Sequence, residues 1–322
     1  MQALANVEHL RQEPSFTGSL PERRHCGAVK GLPFRRANLG GHMQPEQRKP
    51  KLDAVSGVAS PLGVMISQQD RETISMVREA IDARRMRLAY QPVVLARDPD
   101  RVAFHEGLIR VLDPNGRVIP AKDFIGAVEC TDIGREIDCI ALELGLGALL
   151  RHPATRISIN MSARSIGYPR WMRVLKKGLA ADPTVGERLI LEITESSAML
   201  VPELVIAFMK DLQTEGVAFA LDDFGSGYTA IRYFKDFFFD ILKIDGQFIR
   251  NIHRDPDNAA LTAALLSIGQ HFHMFTVAEA VESPEEARFL MNLGVDCLQG
   301  YLFGAANLKP DFGPAIPQRK RA

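Results

Sequence analysis

Cysteine is scarce in this chain. Its four cysteines, Cys26, Cys130, Cys139 and Cys297, form no Cys-x-x-Cys pair, and no histidine stands at zinc-finger spacing. This argues against a disulfide framework and a structural zinc site, and for a reducing compartment. Long apolar runs are missing as well. The most apolar stretch, Ile140 to Leu150, is interrupted by Glu143 and falls far short of the ~20 residues that a membrane helix needs. No apolar core follows a basic start at the N-terminus, so no secretory signal is expected. The expected location is the cytoplasm, with no membrane partner. Nor is there an excess of charge: 39 Lys and Arg balance 39 Asp and Glu. That argues against a polycation built to coat DNA or RNA, and against an acidic disordered chain.

The balance hides an asymmetry. Residues 1–66 carry nine basic and five acidic residues, and Arg319, Lys320 and Arg321 add three positives at the other end. Residues 67–318 therefore stand at −7, a body suited to gathering cations. Residues 1–66 are rich in Gly, Pro, Arg and Gln and show no lasting apolar period. They read as a disordered basic segment, followed by one domain over 67–310 and a basic tail over 311–322.

From Ser67 a helix begins, with Ile74, Val77 and Ile81 at helical spacing. Short apolar runs then alternate with amphipathic stretches. The predicted strands are Leu88–Val94, Ala103–Ile109, Ile157–Met161, Leu189–Ile193, Ala218–Leu221, Ile241–Ile244, Phe275–Ala278 and Val295–Leu298. Helices are expected at Ala121–Cys130, Gly134–Leu150, Arg170–Leu179, Val201–Glu215, Ala259–Phe272 and Pro284–Leu293. This alternation signals βαβ units, and eight strands fit an α/β TIM-like (β/α)8 barrel. An open doubly wound sheet would bring a glycine-rich phosphate loop after the first strand, and none is present.

In a barrel the chemistry sits at the C-terminal ends of the strands. From the second strand onward those ends carry Glu106, Asn160, Glu192, Asp222-Asp223, Lys243, Glu279 and Gln299. One such residue would cap a helix and mean little. All of them together would converge on one mouth. Five carboxylates at close range repel unless cations neutralise them. Oxygen ligands without His or Cys select Mg²⁺ or Mn²⁺. The number of acids suggests two ions, ~3.5–4 Å apart, as in phosphoester chemistry. Asp222 and Asp223 suit a bridging role, but neighbours on a strand point to opposite faces. They share a site only if the strand breaks, and Gly225 and Gly227 offer that turn. Lys243 would balance charge, hold water or stabilise a developing oxyanion.

These residues stand in recognisable phrases. Tyr90-Gln91-Pro92 precedes Glu106-Gly107-Leu108-Ile109-Arg110, then Asn160-Met161-Ser162 and Leu191-Glu192-Ile193-Thr194-Glu195. Asp222-Asp223-Phe224-Gly225-Ser226-Gly227-Tyr228, Leu242-Lys243-Ile244-Asp245, Ala278-Glu279-Ala280-Val281-Glu282 and Gln299-Gly300-Tyr301-Leu302-Phe303 follow. From Leu88 to Phe303 the chain resembles the EAL-domain family of cyclic di-GMP phosphodiesterases. The resemblance implies a TIM-like barrel with one strand reversed, and hydrolysis of cyclic di-GMP to linear pGpG with Mg²⁺ or Mn²⁺. It implies Glu106, Asn160, Glu192, Asp222 and Asp223 as metal ligands and Glu279 as ligand or general base. Lys243 would contact the catalytic water, and Glu195 would steady the loop Phe224–Tyr228. Gln91, Arg110 and Gln299 fall at substrate-side positions, and Glu282 lies behind the ligands. A homodimer is implied, with Phe237-Phe238-Phe239 as core or as a dimer-facing patch.

The chain departs from the family pattern at Gly107 (usually alanine), at Ala280 (usually glycine) and at Gly304-Ala305-Ala306, where a basic residue and a proline are usual. These changes keep a second function open, a catalytically silent domain that senses cyclic di-GMP or binds a protein. A glycosidase would not need Asn160, the aspartate pair or Lys243. The diguanylate cyclase phrase Gly-Gly-acid-Glu-Phe does not occur. His105, His271, His273 and Trp171 read as packing or surface residues, and Cys130 and Cys139 as small buried groups.

Overall fold

The computed structural model describes residues 61–226 and 234–312. The expectations for residues 1–60, for Gly227 and Tyr228, and for the tail beyond Phe312 lie outside the described residues. The chain opens with α1 (Pro61–Asp82), followed by a long hairpin of β1 (Met86–Leu95) and β2 (Asp98–Leu112). The short β3 (Val118–Pro120), α2 (Ile125–Val128) and α3 (Asp132–Arg151) come next. Then strands and helices alternate: β4 (Ile157–Asn160), α4 (Pro169–Ala181), β5 (Leu189–Thr194), α5 (Glu195–Leu200), α6 (Pro202–Gln213) and β6 (Ala218–Phe224). The last are β7 (Ile241–Ile244), α7 (Gly246–Ile249), α8 (Pro256–His271), β8 (Phe275–Ala278), α9 (Pro284–Leu293) and β9 (Cys297–Gln299).

The strand order is β1-β9-β8-β7-β6-β5-β4-β2-β3, and pairing of β1 with β2 closes the ring. From β2 through β4 to β9 the neighbours are parallel. β1 runs antiparallel to both β2 and β9. The fold is thus the expected TIM-like barrel with one reversed strand, and β3 extends it outside the ring.

Strand alternation divides the barrel into layers. Leu189, Leu191 and Ile193 of β5 face the helices, and Leu242 and Ile244 of β7 do the same. Ile190, Ala220, Ile241, Phe275, Val277 and Cys297 meet in the interior as an apolar floor. The next inward positions along these strands are Glu192, Asp222, Lys243 and Gln299, so the same period stacks a polar layer on the floor. Helix ends are fixed locally. Thr131 caps α3, Asp255 caps α8, and Ser283 with Glu286 forms a capping box on α9.

Several expectations need correction. The helix expected over Ala121–Cys130 is a 3₁₀ turn (Ala121–Asp123) and the four-residue α2, because Phe124 leaves the helical region at φ −140°. β2 runs on to Leu112, so Glu106 lies mid-strand rather than at a strand end. β3, α5 and α7 are too short to leave a periodic signal. Cys130 is exposed, not buried, whereas Cys139 is buried as expected. Trp171 is buried, and His105 packs outside the ring against Phe312, ring centroids 5.0 Å apart.

Candidate active site

Lys243 is the centre of the polar layer. Its side chain is fully buried, and Nζ lies 2.8 Å from Glu279 Oε1 and 2.9 Å from both Glu192 Oε2 and Asp222 Oδ1. Glu106 Oε2 stands at 3.3 Å. One ammonium therefore faces four carboxylates. Glu106 is held from the other side: Asn160 Nδ2 donates to its Oε1 at 2.9 Å and Gln299 Nε2 to its Oε2 at 2.6 Å. Gln299 Nε2 also lies 3.4 Å from Gln91 Oε1, and Gln91 Nε2 donates to the Gly304 carbonyl at 3.1 Å.

The charge imbalance shows in the titration of the acids. Burial, with Glu106 and Asp222 close by, pushes Glu192 up to about 8 despite Lys243. Burial likewise raises Glu279 well above the usual carboxylate range. Asp223 rises to about 6 through burial and the charge of Asp222. Burial acts on Glu106 too, but Lys243 and the bonds from Gln299 and Asn160 outweigh it, and its carboxyl falls below the ordinary value. Desolvation works against the Lys243 charge, yet the surrounding carboxylates raise its pKa well above normal.

Two triads can hold cations. One oxygen each from Glu106, Glu192 and Asp222 lies within 4.8 Å of the others, and the same holds for Asp222, Asp223 and Glu279. Asp222 belongs to both. The break that the aspartate pair requires is in β6 itself: Asp223 has φ +56°, and pairing with β7 slips between Leu221 and Phe224. The bulge brings both carboxylates to one side, a step before the glycines. The residues fit divalent cations. The donors are all oxygens, and Glu192 Oε1 is buried with no hydrogen-bond partner, an acceptor suited to a hard ion.

The rest of the expected set supports this centre. Glu195, at the start of α5, accepts a hydrogen bond from Gly225 N at 2.9 Å and so holds the beginning of the loop after β6. Arg110 is half-buried near Glu106 and Tyr301, and its guanidinium donates to the Ile109 carbonyl rather than to the acids. Glu282 lines the mouth beside Glu279 without reaching Lys243. Two cavities meet at Glu106. One, of about 440 Å³, is lined by Gln91, Arg250, Glu279 and Tyr301, and the other, of about 380 Å³, by Leu108, Asp138, Asn160 and Asp223.

Of the lining residues, Asp138 and Arg250 carry no motif in the sequence, and Tyr301 stands in the Gln299–Phe303 phrase without an assigned role. Asp138 accepts from Ser162 N at 3.0 Å and Ser165 Oγ at 2.6 Å, fixing the turn that follows Asn160, and burial pushes it up to about 6. Its one legible signal was an acid within the apolar run Ile137 to Ile140.

The departures from the family pattern have neighbours that accommodate them. A Cβ on Gly107 would meet Ile159 Cδ1 at 2.8 Å, so the space is filled rather than loose. Ala280 has φ +52°, and the ideal Cβ of Gly246 would lie 2.5 Å from the Ala280 methyl. Gly304 lets the backbone approach Pro92, whose Cγ would stand 2.9 Å from an added Cβ.

The EAL domain family profile matches residues 74–306. The chain belongs to the EAL domain family. It is 31% identical over 245 residues to MucR of Pseudomonas aeruginosa, a bifunctional diguanylate cyclase/cyclic di-GMP phosphodiesterase, covering 74% of this chain and 35% of MucR. It is 30% identical over 250 residues to the cyclic di-GMP phosphodiesterase PdeF of Escherichia coli, covering 75% and 33%. The match thus spans about a third of the length of these curated relatives. The solved MucR phosphodiesterase in complex with c-di-GMP matches with TM-score 0.64 at 31% identity, over 73% of this chain and 97% of that one. The FimX EAL domain from Pseudomonas aeruginosa bound to c-di-GMP shares the fold, with TM-score 0.68 at 23% identity, over 75% and 99%.

Proposed function

We propose that this chain hydrolyses cyclic di-GMP to linear pGpG with two Mg²⁺ or Mn²⁺ ions. The observation that carries the reading is the ring of carboxylates around Lys243, in which two oxygen triads share Asp222. Glu106, Asn160, Glu192 and Asp222 would hold one ion, and Asp222, Asp223 and Glu279 the other. Bound there, the ions would supply Lewis-acid polarisation of the phosphodiester and acidify water. Lys243 would hold the attacking water and offset the mutual repulsion of the acids. Glu279, at the cavity edge and 2.8 Å from Lys243, would serve either as a metal ligand or as the general base that takes the proton from the water. Gln91, Gln299 and Arg110 would position the dinucleotide, whose two nucleotides suit the two cavities that meet at Glu106. Glu195 would keep the loop after β6 in place, and Glu282 would support Glu279.

The reading includes a cytoplasmic homodimer. No helix among the described residues is long and apolar enough to cross a membrane. Exposed Leu200, Leu204 and Phe238 offer apolar surface to a second copy.

The test is product chromatography of purified protein incubated with cyclic di-GMP and Mg²⁺ or Mn²⁺, beside Glu106→Ala. Metal-dependent pGpG from the wild type alone is expected. Nucleotide binding with no product would refute the enzyme and favour the silent sensor.

A further inference from the structure

A second groove lies on the outside of the barrel and shares no residue with the cavities at the mouth. Among the described residues only α3 and α4 line it, and its volume is about 320 Å³. The two helices approach closely at Gly178, where an added Cβ would meet Leu146 Cδ1 at 2.5 Å. Leu146, Leu150 and Val174 are its apolar lining, and Leu150 is 38% exposed.

The rim has one dominant sign. Arg170, Arg173 and Lys177 line the groove, with Glu143 as the single acid. Their spacing of three, four and seven residues puts the three cations on one stripe of α4. Lys176 adds a fourth exposed cation, and α4 contains no acid at all. None of the four is in an ion pair or hydrogen bond among the described residues. This concentration stands out on a body that is −7 over residues 67–318. Elsewhere on the surface cations do find acids, as in Arg85 with Glu79 and Arg288 with Glu285.

We propose that the groove between α3 and α4 docks an acidic segment of a partner protein, with one or two aliphatic side chains set on the apolar lining. Charge selects this occupant. The chain's own ends are basic, with nine Lys and Arg against five acids in residues 1–66 and Arg319-Lys320-Arg321 in the tail. They would be repelled. A phosphate backbone or lipid headgroup would satisfy the cations but leave the concave apolar lining unused. The inference is independent of the chemistry at the mouth.

The probe is a fluorescein-labelled helical peptide of Glu, Leu and Ala with its leucines on one face, read by anisotropy against the full chain. We expect saturable binding that weakens with salt. Arg173→Glu with Lys177→Glu should weaken it by about tenfold, as should replacing each peptide Glu by Gln. Scrambling the leucines at constant charge should weaken it too. Arg173→Gln with Lys177→Gln repeats the test without reversing charge, and unchanged melting temperatures separate lost binding from lost fold. Equal binding by wild type and both variants overturns the proposal, as does indifference to scrambling. Tighter binding of an oligonucleotide or a phosphatidylglycerol vesicle through the same residues would assign the groove to a polyanion instead. A dimer that dissociates in the variants would assign it to a second copy.

Discussion

Gly246 and Ala280 form a pair whose coupling can be measured. Ala280 is held at φ +52°, in the left-handed region, where a side chain costs about 1–2 kcal/mol. Glycine there relieves that strain but adds ~0.5–1 kcal/mol of unfolded-chain freedom. Ala280→Gly alone should therefore stabilise the protein by ~0.5–1 kcal/mol, or ~2–4 °C per kcal/mol in melting temperature. Gly246→Ala alone should do the reverse. Its Cβ would sit 2.5 Å from the Ala280 methyl, against 3.4–4 Å for ordinary contact. Overpacking of this kind costs about 1–3 kcal/mol. In the double variant the methyl is gone, and the next neighbours of the new Cβ are Ala280 Cα at 3.8 Å and Glu279 O at 3.9 Å. Gly246→Ala should then be neutral, which gives a coupling of about 2 kcal/mol across the cycle. Urea midpoints at constant slope measure all four proteins. Under the proposed chemistry, activity should follow the same cycle. Pushing residue 280 away moves Glu279, whose Oε1 lies 2.8 Å from Lys243. Stability changes that add within ~0.5 kcal/mol would refute the reasoning.

Metal and pH should act together on stability. Glu192 at about 8 and Asp223 at about 6 are raised carboxyls, so the metal-free native state takes up protons that the unfolded chain has lost. Its stability should fall as pH rises from 5 towards 8, while the depressed Glu106 adds stability that is lost only on further acidification. Ions bound as proposed would replace those protons, so the gain in melting temperature from Mn²⁺ over EDTA should grow across the same window; calorimetry showing a gain independent of pH would count against it. Restoring alanine at Gly107 should destabilise by ~1 kcal/mol, because its Cβ meets Ile159 Cδ1 at 2.8 Å. Adding Ile159→Val should recover most of that loss in the same denaturation assay, and a purely additive pair would show that Ile159 is not the obstacle.

The fold was legible because its signals are local and periodic. Ile241–Ile244, Phe275–Ala278 and Pro284–Leu293 stand where the apolar runs put them. α5 and α7 were not legible, since elements of six and four residues complete too little of a period. The acids were legible because they end short apolar runs, and Glu106 was found even though β2 continues past it. Asp138 was not, because its role lies in an approach to Ser162 and Ser165 from another element. The break in β6 was anticipated, but at the glycines. It falls instead at Asp223, which the bulge holds at positive φ.

The departures from the family pattern teach the same point more sharply. Taken singly along the chain, Gly107 weakens a strand and Ala280 strains a turn beside Glu279. Taken in space, each meets a residue that answers it: Ile159 grows into the volume beside Gly107, and Gly246 leaves room for the Ala280 methyl. Ile159 lies 52 positions from Gly107 and Gly246 lies 34 from Ala280, so no window of periodicity or motif spacing links either pair. What the pairs preserve is the geometry of Glu106 and Glu279, both within 3.3 Å of Lys243. A substitution next to a proposed metal ligand is therefore weak grounds for a silent site until its packing partner is known. Adding a methyl at Gly107 or Gly246 alone should perturb the acidic ring, whereas removing the one at Ala280 should not.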